Sequence, residues 1–558
     1  MNKDRILRNL LELCGIPSVS ETDGERVMAD KIGEMLRRSP YFQEHPEWIR
    51  NHHIPGDKYS RSFVSAFLRG GLESPKTVIL LSHFDVVGVE EFGMQKELAF
   101  DPPAYTRFLK EHPERSLPRE AAGDLESGDY LFGRGVMDMK FGIAAYLEII
   151  TQMTIELEHF EGNILFLSVP DEEANSAGML AAVEYLSSFQ KEQGLEYLCC
   201  LVSEPHFPKY PGDRTKYLYT GTVGKLLPVF YCVGKETHAC EPLSGLNPNR
   251  LTAKIIERLD ANSDFSDVSC GVAVPPPVCL KQSDMKRAYS VQSPVAAYTY
   301  FNFMTLTSTP DEVMQKLVAA ARDAFEEVIT DLQKMAEKRF ERTGEAASVP
   351  ARQVKVVTFR QLWQWCREAE GSRFEKHMEV FVQSHGTRNR YGDLREFSVE
   401  IVREVHQFCP YRDPMVIVFF APPFYPHSGE LPQDSPIREL SRYIAEIAKN
   451  TYREEIKIEP YFLGLSDMSY LGLPEKLDMD ELVQNFPVWD AGYHIPLQEI
   501  AGLQIPFLNF GPLGKDAHRF TERLCLSYSM EKAAPILWDT VKHLLYRPDK
   551  SSPSSCVE

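Results

Sequence analysis

Three short apolar runs, TVILL at 77–81, NILFLSV at 163–169 and YLCCLV at 197–202, are separated by stretches in which apolar residues recur at helical spacing. A run without polar alternation suits a strand covered on both faces, and the intervening helices supply that cover. The alternation predicts an α/β fold on a mixed, mainly parallel sheet. Helices are expected at 3–14 and 24–38, after Asp138, and from about Ala177.

The 558 residues exceed what one hydrophobic core usually organises, so two domains are expected. From about Lys216 the pattern changes to longer β-rich segments (217–235 and 293–306), a helix from about Pro310 to Arg342, a charged helical stretch at 358–408 and the strand PMVIVFFA at 414–421. This predicts an α+β domain at 215–424 inserted in a first domain formed by 1–214 and 425–558. After Pro426 the alternation of the first domain resumes, with a helix near 436–450, the segment GLSDMSYLG (464–472) and the strand IPFLNF (505–510). The tail PDKSSPSSCVE reads as disordered.

Acidic residues number 80 against 61 basic ones, a net charge of -19, and no Lys/Arg stripe is interleaved with aromatics. That balance excludes a nucleic-acid binder, which needs a basic footprint. The first twenty residues lack the continuous apolar centre of a signal peptide, and no later stretch suits a bilayer span. A cytoplasmic protein without a membrane partner is the expectation. Eleven scattered cysteines, including the adjacent Cys199 and Cys200, show no CxxC spacing and read as reduced core thiols.

The residues that carry chemistry recur just past the C-terminal ends of the apolar strands, the edge where ligands bind in open α/β sheets. His83 and Asp85 follow TVILL, Glu172 and Glu173 follow NILFLSV, Glu204 follows YLCCLV, and His518 lies beyond IPFLNF. Asp138 joins them from GRGVMDMK, where glycines permit a tight turn. Two imidazoles with several carboxylates are the inventory of a two-metal site, most simply zinc, with cobalt or manganese as alternatives. Asp138 is the candidate bridge between the ions. Glu173 is assigned as ligand and Glu172 as the free general base that takes a proton from the attacking water. Asp85, two residues after His83, is placed to orient its imidazole.

These motifs, SHFDVV (82–87), GRGVMDMK (133–140), PDEEANSAG (170–178), SEP (203–205), GKETHACEP (234–242), GLSDMSYL (464–471) and FGPLGKDAHRFTE (510–522), resemble the aminoacylase and carboxypeptidase G family of co-catalytic zinc metallopeptidases. Acetylornithine deacetylase and succinyl-diaminopimelate desuccinylase belong to it. The resemblance implies that His83 and Glu204 hold one ion, Glu173 and His518 the other, and that Asp138 bridges. It further implies Glu172 as general base, Asp85 behind His83, and His238 as an oxyanion-stabilising group in the inserted domain. That domain is implied to be a lid that often makes a homodimer contact. A divergent bacterial branch connected with arginine catabolism points to an N-acylated or peptide-linked amino acid as substrate.

Several features depart from the family pattern. The stretch from His83 to Asp138 is long, Phe141 and Gly142 replace a glycine pair, the lid strand reads YFNFMTLTSTP, and extra material fills about 345–410. Taken singly, each residue has a plainer explanation: Asp138 as a helix N-cap, Glu204 as a turn residue, His238 as a packed histidine, Asp467 as a cap. His206 and His494 fall outside the five-ligand set, and Trp363 and Trp365 are expected to pack within the lid extension. Two rival functions remain: a catalytically silent, metal-containing metabolite-binding or regulatory protein, and a broad dipeptidase or aminopeptidase.

Overall fold

The strand Leu72–His83 is buried without interruption from Val78 to its end, and it lies near the middle of an eight-stranded sheet. A computed structural model describes residues 1–113, 117–206, 208–210, 212–346, 353–389, 393–429 and 435–547. The sheet runs in the order Ile49–His53, Ser62–Arg69, Glu161–Val169, Leu72–His83, Glu196–Val202, Phe507–Asn509, Lys216–Tyr219, Ile456–Glu459. Its four central strands are mutually parallel, and antiparallel pairings flank them. Parallel register therefore brings His83 level with Val169, and Leu81 level with Val202.

Side chains alternate between the faces of such a sheet. Val78 and Leu80 enter a core shared with the helices Lys3–Cys14, Lys140–Ile155 and Ala534–Leu545. Phe67 points the other way, edge-on to Phe189 of the helix Ala177–Gln193. The helix Lys140–Ile155 is buried on most of its circumference, as a helix sandwiched inside a core must be.

The described residues divide into two compact units, the first comprising Met1–Thr222, Gly429–Leu473 and Pro496–Glu558, the second Val223–Ser428 and Pro474–Ile495. In the second, a sheet runs Val278–Asp284, Ala296–Thr305, Pro228–Val233, Met415–Phe420, Val356–Thr358. One face meets the helix Pro248–Leu259, where Gln282 donates to Thr252. The other meets the helix Leu394–Gln407, whose Glu396 accepts from Lys281 at 2.7 Å and Tyr298 at 2.5 Å. The described residues of the stretch at about 345–410 hold three helices, Phe359–Glu370, Ser372–Asn389 and Leu394–Gln407, the first begun by a capping box between Thr358 and Gln361. Trp363 packs edge-on against Phe374, and Trp365 against Tyr411.

The expected boundaries need three corrections. Residues 215–222 stay with the first unit because Lys216–Tyr219 is a strand of its sheet, paired in parallel with Ile456–Glu459. The crossing back falls after Ser428 because Lys225 and Tyr425 exchange main-chain hydrogen bonds of 2.9 and 3.0 Å. Residues 474–495 return to the second unit, where the carbonyl of Asn485 accepts from Phe420 N at 2.9 Å and its side chain from Arg360 N at 3.1 Å. The tail PDKSSPSSCVE lies outside the described residues. No helix among the described residues is long and apolar enough to cross a membrane.

One buried cation organises the rim of the first sheet. Arg61, 5% exposed, pairs with Glu25 at 3.3 Å, Asp57 at 2.7 Å and Asp171. Removing one partner of a buried ion network leaves uncompensated charge, a loss of about 3–5 kcal/mol. Arg61→Met is expected to lower stability by about that amount in urea denaturation followed by fluorescence, and a loss near zero contradicts the account.

Candidate metal centre

All but one of the residues of the centre lie at or beyond the C-terminal end of a strand. His83 closes the strand Leu72–His83, Glu172 and Glu173 follow Glu161–Val169, Glu204 follows Glu196–Val202, and His518 follows Phe507–Asn509. Asp138 sits on the turn before the helix Lys140–Ile155, and its peptide bond to Met139 is cis. That helix begins at an N-cap position occupied by Met139 with no side-chain capping bond, so Asp138 is not spent as a cap.

The two oxygens of Asp138 divide between two imidazoles. Oδ1 lies 3.1 Å from His83 Nε2, and Oδ2 lies 3.2 Å from His518 Nε2. His518 Nε2 is also 2.8 Å from Glu173 Oε1, and His83 Nε2 is 3.9 Å from Glu204 Oε2. The donor atoms of His83, Asp138 and Glu173 all fall within 4.8 Å of one another. This mixture of imidazole nitrogens and carboxylate oxygens is a donor set that suits divalent cations.

Asp85 serves both side chains and main chain. His83 Nδ1 lies 3.1 Å from the Asp85 carbonyl oxygen and 3.5 Å from its carboxylate Oδ1. The carboxylate accepts from Ser20 Oγ at 2.7 Å, Glu172 N at 3.1 Å and Glu173 N at 3.2 Å. It therefore holds the backbone that carries the proposed base and ligand while orienting the imidazole. Asp171 fixes the same loop from behind, accepting from Arg61 and from Ala177 N.

Crowded buried carboxylates disturb every titration here. Burial pushes Glu172 well up, and it raises Glu173 against the opposing bond from His518. Burial likewise raises Glu204 to about 8, with His83 pulling down and Asp138 pushing up. His518 is half exposed, and the partial desolvation that would depress it is outweighed by its bonds to Asp138 and Glu173, which hold the imidazole up at about 11. The same bonds, from His518 and His83, overcome the effect of burial on Asp138 and hold it below its ordinary value. Positive charge is what this cluster demands.

The other sequence candidates separate cleanly. His238 lies in the second unit, exposed, its Nδ1 accepting from Cys240 N at 3.2 Å. His206 is buried edge-on to Tyr528 and held by burial at about 3, a neutral core histidine. His494, also in the second unit, pairs with Asp490 at 2.7 Å. Asp467 is not the cap of its turn, because Ser466 is, accepting from Met468 N. Ser466, Ser20 and Arg61 carry no sequence signal that marks them as site residues, although Ser466 stands inside the conspicuous segment GLSDMSYL.

An α/β unit that gathers two imidazoles and three carboxylates at one sheet edge is the scaffold of a metallohydrolase. Residues 110–379 match the pattern of peptidase family M20/M25/M40. The chain is 38% identical over 550 residues to the uncharacterized protein YqjN of Bacillus subtilis, covering 98% of each. It is 34% identical over 547 residues to protein RocB of Bacillus subtilis, covering 97% of this chain and 95% of that one. The crystal structure of aminopeptidase PepT from Bacillus cereus has the same fold, with a TM-score of 0.53 at 12% identity over 98% of this chain and 99% of that one. The chain belongs to peptidase family M20/M25/M40. It is a metallopeptidase-class enzyme acting on C–N bonds.

Because His518 is raised from 6.5 to about 11, its pairing stabilises the metal-free fold fully below 6.5 and is lost as pH climbs through about 11. Ligation needs the neutral imidazole, so ion uptake at neutral pH expels that proton. Calorimetric titration of metal-free protein with zinc, in buffers of differing ionisation enthalpy, is expected to show net proton release and tighter binding as pH rises. Uptake without proton release contradicts this assignment.

Proposed function

We propose that the enzyme hydrolyses the amide bond of an N-acylated or peptide-linked amino acid at a pair of zinc ions. The observation that carries this reading is the division of the Asp138 oxygens between His83 and His518, 3.1 and 3.2 Å away. When bound, the ions polarise water and the scissile carbonyl together. His83 and Glu204 would hold one, His518 and Glu173 the other, and Asp138 would serve both.

Glu172 takes a proton from the attacking water and returns it to the leaving amine. Its main chain is tied to Asp85, so the carboxyl stays beside the ligands without being spent as one. Burial raises its proton affinity, which suits a group that must accept a proton and then release it. His238 is assigned the stabilisation of the oxyanion, on the resemblance of GKETHACEP.

The substrate class rests on the same resemblance, whose bacterial branch is connected with arginine catabolism. A cytoplasmic setting is supported by the free buried thiols of Cys199 and Cys200. A homodimer formed through the second unit completes the proposal. The silent-binder alternative is disfavoured by Glu172, because a metabolite sensor has no use for a free base beside its ions.

The test combines elemental analysis with hydrolysis of a panel of N-acyl amino acids and free-amine dipeptides, using the unaltered enzyme and Glu172→Ala. The expected result is two ions per chain in both proteins, with kcat lowered about 10²–10⁴-fold in the variant. Full occupancy with no turnover on any amide favours the sensor, and preference for free-amine dipeptides favours the broad dipeptidase. In the same assay His238→Ala is expected to lower kcat while both ions are retained, and loss of an ion contradicts its assigned role.

A further inference from the structure

Glu204 presents its two oxygens to different partners. Oε2 faces His83 Nε2 at 3.9 Å, and Oε1 accepts a 2.9 Å hydrogen bond from Ser466 Oγ. Ser466 is fully buried, and it reaches Glu204 across 262 positions of sequence. Its hydroxyl also accepts from Met468 N at 3.4 Å. That contact occupies a lone pair and directs the hydroxyl proton to Glu204.

The turn that carries Ser466 is fixed independently of any ligand. Residues Asp467–Leu471 form a buried 3-10 turn, Ser469 N donates to the Ser466 carbonyl at 3.1 Å, and Leu471 O accepts from Ile505 N at 2.8 Å just before the strand Phe507–Asn509. Ser466 is thereby tied to the strand that leads to His518.

We infer that Ser466 is a positioning residue that commits Glu204 to ligate through Oε2 alone. The inference rests on the ligand set proposed above. A buried hydroxyl that holds one oxygen of a carboxylate favours ligation through the other, which would leave more room for water beside His83. Without the hydroxyl, Glu204 gains freedom to turn both oxygens inward or to swing away. A plain capping role for Ser466 would act on the turn and on stability, with no preference between the two ions.

The test is metal retention during dialysis against graded chelator, read by elemental analysis, on the unaltered protein, Ser466→Ala and Glu204→Gln. Ser466→Ala is expected to release one ion about 10–100-fold more readily while the other is held as before. Both ions held as tightly as in the unaltered protein overturn the inference, as does equal weakening of both in a folded variant. Glu204→Gln is expected to lose the same single ion. If it does so while Ser466→Ala loses none, only the inference fails, whereas full retention in Glu204→Gln overturns the ligand set as well. Should Ser466→Ala not fold, the zinc-loaded crystal structure of the unaltered protein decides. One Glu204 oxygen on the ion with Ser466 Oγ still bonded to the other supports the inference, and both oxygens on the ion overturn it.

Discussion

The structure depends on how a cluster of carboxylates is kept together at the edge of one sheet. Asp85, Asp171, Glu172, Glu204 and Asp467 are all buried, and the half-buried Asp138 and Glu173 lie beside them. Burying like charges without compensation is prohibitive, so each must be paired, protonated or bound to a cation. His83, His518 and Arg61 supply part of the balance, and Arg61 is already committed to Glu25, Asp57 and Asp171. The remaining excess of acid beside two imidazoles is an electrostatic demand for divalent ions.

Parallel topology is what lets a chain assemble such a cluster from residues hundreds of positions apart. Strands that share a direction end at a common edge, so groups carried at or beyond their C-terminal ends converge there. The loop Asp171–Ala177 shows how the convergence is made rigid. Its Asp171 carbonyl accepts from Asn175 and Ser176, its carboxylate accepts from Ala177 N and Arg61, and Asp85 takes the amides of Glu172 and Glu173. A base and a ligand on adjacent residues keep separate roles because their main chain is held.

Much of this is legible in the sequence for physical reasons. TVILL, NILFLSV and YLCCLV stand out because strands covered on both faces must be continuously apolar, and the ligands follow them directly. What is not legible lies where contacts are neutral, local or made by main chain. Ser466 is an uncharged residue whose meaning comes from a partner 262 positions away. Asp85 is expected from its spacing to serve an imidazole and lies beside it, while its bonds to Ser20 and to two amides carry no sequence signal. The return of 474–495 to the second unit is hidden because it hangs on Asn485, whose main chain and side chain serve Phe420 and Arg360.

The central claim is that the Asp138 carboxylate is shared by two ions. Crystals of the zinc-loaded protein, measured with anomalous scattering on both sides of the zinc edge, test it most directly. The account predicts two zinc peaks roughly 3.5–4 Å apart, each within bonding distance of a different Asp138 oxygen. A single peak, or two peaks with Asp138 on only one of them, would contradict it.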